Sequence, residues 1–145
     1  MKIYPGVTII SHEGDRLPEI GDIYAGSFLG CPHDIGERVH ISCNCSFVGQ
    51  GKLYIGNDCT FGPNVVVYTS SPILDKEVAG NKYVKDFRVE VSSVIIGDHV
   101  FVGAGTVVHQ GVTIQDHVVI GAQSLVLTDI IDSGFYVGNP LRRVR

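Results

Sequence analysis

At 145 residues the chain is long enough for one domain with a substantial core. A formal net charge of −4 argues against nucleic acid as the main partner, and the longest apolar runs fall short of the ~18 residues a membrane span needs. Hydrophobic content of 44% beside 18 glycines suits short inward strands separated by tight corners.

The opening residues carry no charged segment followed by an apolar one, so a cytoplasmic location is expected. From Leu17 an apolar residue recurs every six positions through Ile23, Leu29, Ile35, Ile41, Phe47 and Leu53, with Val39 and Cys45 in a companion slot. After a slip of two residues, Ile55, Phe61 and Val67 resume the series with Cys59 and Val65. A six-residue period is neither the 3.6 of a helix nor the 2 of a strand; it suits a strand, a corner and a repeat. The expectation is an all-β parallel β-helix of hexapeptide repeats, one domain over 1–145. Three hexads close one triangular coil, so equivalent positions recur every eighteen residues and about five coils start near Leu17, Ile35, Ile55, Ile96 and Ile114. Inward side chains should stack at the ~4.8 Å spacing of strands, in a column held by nearest neighbours. Cys45 and Cys59, at inward slots, read as small hydrophobes of a reducing compartment. Glycine directly follows an inward residue at Gly36, Gly56, Gly97, Gly103 and Gly121, where a corner conformation closed to other residues is expected.

The period vanishes between Pro72 and about Ser93, where charge gathers in Asp75, Lys76, Glu77, Lys82, Lys85, Asp86, Arg88 and Glu90. Such an excursion (72–93) from the third coil predicts a protruding functional loop. The series then runs unbroken through Ile96, Val102, Val108, Ile114, Ile120 and Val126, with Val100, Thr106, Val112, Val118 and Ser124 as companions. Residues 132–145 read as a C-terminal tail ending in Arg142, Arg143 and Arg145.

Ile55-Gly56-Asn57-Asp58, Phe61-Gly62-Pro63-Asn64-Val65, Tyr68-Thr69, the stretch from Ile96 to Gly103, and Gly138-Asn139-Pro140 resemble the hexapeptide-repeat acyltransferases, closest to the maltose and galactoside O-acetyltransferase branch. The resemblance implies a left-handed β-helix, a homotrimer with sites between subunits, and acyl transfer, usually acetyl, from coenzyme A to a hydroxyl or amino group. On the donor side it implies backbone contacts to the coenzyme at Gly103, Ala104, Gly121 and Ala122. Phe101 stands where the family often has Trp, Thr128 lies in the run that usually reads Thr-Lys-Asp, and Arg142 and Arg145 match the phosphates of the nucleotide. The expected co-substrate is acetyl- or another acyl-coenzyme A, with no metal.

The acceptor side departs from that branch. Its general base, a His just past Tyr-Thr, is replaced by Ser70, Ser71 and Pro72; Ser42 stands where an Asn is expected, and Asn44 two residues on could serve instead. Gln50 stands where an Asp is due. Tyr68-Thr69-Ser70-Ser71, leading to acidic residues from Asp75, and the Val39–Gly49 segment resemble instead the sugar acyltransferases of polysaccharide biosynthesis. Acceptor contacts are therefore expected from Ser42, Asn44, Ser70, Ser71 and Asp75. His40, two residues before Ser42 and outward with it, is the first candidate for a base, and a corner His bonded to backbone is the alternative. His109 near Tyr68 is a second candidate. His99 and His117, eighteen apart beside Asp98 and Asp116, should stack as turn residues or as an Asp-His ladder. An amine acceptor bound neutral would need no base at all. Cys43, Cys45 and His40 offer only a weak zinc suggestion, and the histidine spacings do not fit the three-His metal site of γ-class carbonic anhydrases. The expected acceptor is a sugar or nucleotide-sugar used in surface-polysaccharide assembly. The alternative is a trimeric scaffold that has lost catalysis.

Overall fold

Inward residues at hexad spacing wrap the chain into a left-handed parallel β-helix of three faces; the computed structural model describes residues 1–72 and 89–145. Among the described residues, twenty strands of two to four residues, numbered in chain order, build it, and no helix there is long and apolar enough to cross a membrane. Face one stacks β1 (Lys2–Ile3), β3 (Gly21–Ile23), β6 (Val39–Ile41), β9 (Thr60–Phe61), β14 (Phe101–Val102), β17 (Val118–Ile120) and β19 (Gly134–Val137) in parallel, closed by antiparallel β20 (Arg142–Arg143). Face two stacks β2 (Thr8–Ile9), β4 (Phe28–Leu29), β7 (Ser46–Val48), β10 (Val66–Tyr68), β15 (Val107–Val108) and β18 (Leu125–Val126). Face three holds β5 (His33–Ile35), β8 (Leu53–Ile55), β13 (Val94–Ile96) and β16 (Thr113–Ile114), extended by the bridges Arg16–Asp34 and Ile114–Ile130.

Equivalent positions lie eighteen residues apart in the later coils, twenty apart across the slip before Ile55, and 41 apart across the excursion. Val102 lies between Phe61 and Ile120, Val108 between Val67 and Val126, and Ile96 between Ile55 and Ile114. The hexad residues from Ile23 to Val126 and their companions form one buried column. Phe47 and Phe61 meet edge to face in it, centroids 5.4 Å apart. Cys45 and Cys59 are fully buried, as expected of small apolar residues, and Cys59 is pushed up to about 11, first by desolvation.

Two expectations need correction. The first coil does not start at Leu17: β1 and β2 pair in register with β3 and β4, so residues 1–16 add a further rung. Its hexad slots are Ile3, Ile9 and Leu17, and the period is hidden because Ile9 and Leu17 are eight residues apart rather than six, with Asp15 in the companion slot opposite His33. The glycines after inward residues are also not corner specialists, because none of Gly36, Gly56, Gly97, Gly103 and Gly121 has a positive φ. They are required by the neighbouring coil: a Cβ on Gly36 would lie 2.7 Å from Gly56 C, and one on Gly103 would lie 2.5 Å from Ala122 N. Meanwhile each glycine N–H donates to the next coil's inward carbonyl, as Gly103 does to Ile120 O at 2.8 Å. The left-handed corner positions fall instead on Arg38, Asn44, Asp58, Asn64, His99, His117 and Gln123, all with φ between 56° and 61°. Asn and Asp tolerate that region better than most side chains.

The corner between faces three and one is knit by side chains. Asn57 Oδ1 accepts the Glu37 N–H at 2.8 Å, Asp98 Oδ1 that of Asn57 at 2.7 Å, and Asp116 Oδ1 that of Asp98 at 2.8 Å. His99 and His117 stack beside this ladder, 4.8 Å apart and 8° from parallel. Asn57, Asp98 and Asp116 are turn-capping residues, each satisfying a corner amide, while the two histidines are stacked turn residues. The excursion leaves face two through β11 (Ser70–Pro72) and returns through β12 (Val89–Val91), which pair antiparallel with Ser70 opposite Val91. Residues 132–145 are not a loose tail: β19 and β20 pair onto face one.

Candidate functional site

Along the outer side of face one, register places Asp22, His40, Thr60, Phe101, Val119 and Phe135 in a row, one per coil. The β alternation that turns Ile41 and Phe61 inward turns His40 and Thr60 outward. Asp22 Oδ2 lies 3.7 Å from His40 Nδ1, and each side chain is 38% exposed. The His40 ring also packs on Tyr24 (5.0 Å between centroids), Tyr24 stacks on Tyr4 (4.3 Å, 13°), and Lys2 Nζ lies 4.7 Å over Tyr4. This column gives the imidazole a carboxylate on one side and an aromatic wall on another.

A cleft of about 190 Å³ opens here, lined by Tyr24, His40, Ser42, Cys43 and Pro63. It sits at the corner between faces one and two. His40 and Ser42 therefore meet in one cleft, as their spacing implied. Asn44 follows in the same corner, but its φ of 58° makes it a turn residue whose side chain lies against Gly26. Asp22 and Tyr24 were not singled out from the sequence, and Cys43 and Pro63 were named there without a place in this cleft. The first two were accessible to it, being eighteen residues before His40 and Ser42.

Two coils further on, the same corner carries Gly103, Ala104, Gly121 and Ala122. Gly103 is buried by the coil above it, whereas Ala122 is exposed and Ala104 half-buried. Phe101 is 43% exposed on the face, two strand steps from His40. At ~4.8 Å per step, the two lie roughly 10 Å apart. Arg142 is exposed on β20 at the end of this face, and Arg145 closes the chain beside it, its carbonyl accepting the Phe135 N–H at 3.0 Å. Thr128 is apart, at the corner between faces two and three.

That other corner holds the remaining candidates. Ser70 Oγ accepts the Gln50 N–H at 3.1 Å, and Ser71 lies opposite Glu90 in the ribbon. His109 packs edge-on against Tyr68 at 4.9 Å, with its Nδ1 3.0 Å from Gln110 O. Burial raises the Tyr68 phenol above its ordinary value. Within one chain, face two separates Ser70, Ser71 and His109 from the His40 cleft. Asp75 lies outside the described residues. Cys43, Cys45 and His40 do not converge as a zinc set: Cys45 is inward, its Sγ 3.2 Å from Gly62 O, while Cys43 is exposed at the cleft.

Residues 93–128 match the family described as bacterial transferase hexapeptide (six repeats). The chain is 35% identical over 121 residues to galactoside O-acetyltransferase of Lactococcus lactis, covering 81% of this chain and 54% of that one. It spans about half the length of the curated relatives it matches. Among solved structures it is similar to a maltose O-acetyltransferase from Clostridium difficile (27% identity, TM-score 0.71, 99% of this chain and 68% of that one). The N-acyltransferase AntD from Bacillus cereus, in complex with dTDP and 3-hydroxybutyryl-CoA, shares the fold (22% identity, TM-score 0.80, 99% and 75%).

Proposed function

Starting from a chain that is a hexapeptide-repeat β-helix similar to the sugar O-acetyltransferases, we propose that it transfers an acyl group, acetyl first of all, from coenzyme A to a sugar or nucleotide-sugar. The observation that carries the reading is the outer row of face one, where the His40 cleft and the exposed Phe101 lie on one strip beside one corner. The acceptor takes the cleft, against His40 and Ser42. The coenzyme runs along the later coils past Phe101, Ala104 and Ala122, with Arg142 and Arg145 toward its phosphates and Thr128 from a second subunit.

His40 serves as base. With the Asp22 carboxylate 3.7 Å from Nδ1, the tautomer protonated at Nδ1 turns its N–H toward that charge and leaves Nε2 free to take the proton of the acceptor hydroxyl. The oxygen attacks the thioester carbonyl, the carbon–oxygen bond forms, the carbon–sulfur bond breaks, and the thiolate leaves with the proton from the imidazolium. Amine acceptors that bind neutral attack without that step. Ser70 and Ser71 reach the acceptor only from a neighbouring subunit, so the unit proposed is a homotrimer. Its place is the cytoplasm, in surface-polysaccharide assembly, without a metal cofactor, nucleic acid or membrane span.

Thiol release from acetyl-coenzyme A, followed over a panel of sugars, amino sugars and their nucleotide forms, tests this. Transfer to at least one acceptor is expected. A trimer that binds the coenzyme and acylates none would instead support a scaffold, the reading favoured by Ser70-Ser71-Pro72 standing where the family's His is due.

A further inference from the structure

The inner column of face three begins with a polar pair where every later rung is aliphatic. The Arg16–Asp34 bridge aligns Asp15 with His33, and the column continues through Leu53 and Val94. His33 is only 1% exposed, and the Asp15 side chain 9%. An imidazole and a carboxylate in slots built for Leu and Val are costly to bury unless something compensates them. His12 reaches the same point from the preceding turn.

Three ligand atoms converge there. Asp15 Oδ2 lies 3.3 Å from His12 Nδ1 and 3.4 Å from His33 Nδ1, and the three residues offer one atom each within 4.8 Å of one another. Ligands placed roughly 2.0–2.2 Å from a zinc ion at tetrahedral corners are separated by about 3.3–3.5 Å. Two edges of the triangle already have that length. Each ring nitrogen also has a hydrogen-bonding contact here, His12 Nδ1 with Asp15 Oδ2 at 3.3 Å and His33 Nδ1 with Cys31 O at 3.0 Å, the kind of ready-oriented donor set a cation can take over. Asp15 Oδ2 already accepts the His12 N–H at 2.6 Å and Oδ1 the His33 N–H at 2.8 Å, yet both ring nitrogens still face Oδ2.

We propose that His12 Nδ1, Asp15 Oδ2 and His33 Nδ1 bind a zinc-class divalent cation. Both imidazoles coordinate as neutral rings carrying their proton on Nε2. His33 then exchanges its contact with the Cys31 carbonyl, 3.0 Å from Nδ1, for the metal, and that carbonyl or a water fills the fourth position. The site is structural: it fastens the first rung to the second on face three, away from the His40 cleft, so it stands or falls independently of the transferase reading.

The test uses the full chain without a histidine tag, stripped with a chelator and titrated with zinc chloride by calorimetry, with cobalt(II) absorption as a second readout. One equivalent per chain is expected, with a rise in Tm on loading. His12→Ala, which changes a side chain that is one-third exposed, should weaken binding about tenfold to a hundredfold while the apo protein stays folded. Asp15→Asn should do at least as much. Absence of binding and of any Tm change would overturn the proposal. So would binding that survives His12→Ala and Asp15→Asn but is lost in Cys43→Ser, which would assign the metal to the exposed thiol.

Discussion

Asp22 and His40 occupy paired positions on adjacent strands of face one, with Oδ2 and Nδ1 3.7 Å apart. In the proposed mechanism Asp22 is a positioning residue for the ring. On a hydroxyl acceptor, His40→Ala should lower kcat/KM by about 10²–10⁴. Asp22→Asn should lower kcat by about tenfold with KM held. On an amine acceptor both losses should shrink, because a neutral nitrogen needs no base. Steady-state kinetics on matched hydroxyl and amine substrates decides this, and full retention of rate by His40→Ala on both would remove His40 from the mechanism.

Phe61 is fully buried and meets Phe47 edge to face in the column. Truncating it leaves a void that stacked coils cannot close without disturbing the rungs on either side. Phe61→Ala should cost about 3–5 kcal/mol, read as a lowered urea midpoint.

Gly103 should not tolerate even a methyl group. The added Cβ would sit 2.5 Å from Ala122 N, a backbone atom held by the next coil. Gly103→Ala is expected to lose about 1–3 kcal/mol through overpacking. Gly14→Ala, where nothing lies within 4 Å of the new carbon, should lose less, although its φ of +79° leaves some strain. Thermal melts of the two variants give the comparison.

Of the four thiols, only Cys43 is exposed. Desolvation pushes Cys31 up to about 12 and Cys59 up to about 11, so both stay protonated as well as covered. A maleimide should therefore label one thiol per native chain, and all four after denaturation. Because Cys43 lines the cleft, an acceptor that occupies the cleft should slow its labelling.

Two half-buried carboxylates tie neighbouring rungs. Backbone N–H groups of Ile20 and Glu19 hold the Glu37 carboxyl below its ordinary value, and the Arg38 guanidinium does the same for Asp58, with Arg38 Nε 2.6 Å from Asp58 Oδ1. A pKa lowered by folding adds stability that is complete above the unfolded value and lost as pH falls through the folded one. Urea midpoints should drop between pH 7 and the acid side of about pH 4, and Glu37→Gln should shrink that drop. An unchanged difference in the variant would remove Glu37 from the effect.

The repeat was legible because stacking makes each inward slot see the same surroundings, so Ile96, Val102 and Val108 predict their own register. It failed in the first rung, where Ile9 and Leu17 are eight residues apart and the polar Asp15 takes the companion slot, so the period breaks although the inward residues are apolar. Glycine placement was legible but its cause was not. At Gly103 the constraint comes from a chain segment eighteen residues away rather than from local dihedrals. The cleft was half legible: His40 and Ser42 follow from spacing along one strand and its corner. Tyr24 and Pro63 belong to the coils on either side, whose side chains enter the site only through lateral stacking.

The paired strands Ser70–Pro72 and Val89–Val91 hold both ends of the excursion together at the solenoid wall. Whatever length of chain lies between them, the coil resumes in phase at Val94, and closing a longer loop costs only slowly more entropy. The excursion is thus free to drift in sequence and length without putting the scaffold out of step. On the proposed transferase reading, new acceptor preferences would arise by rewriting that one segment, with the strip along face one left as it is.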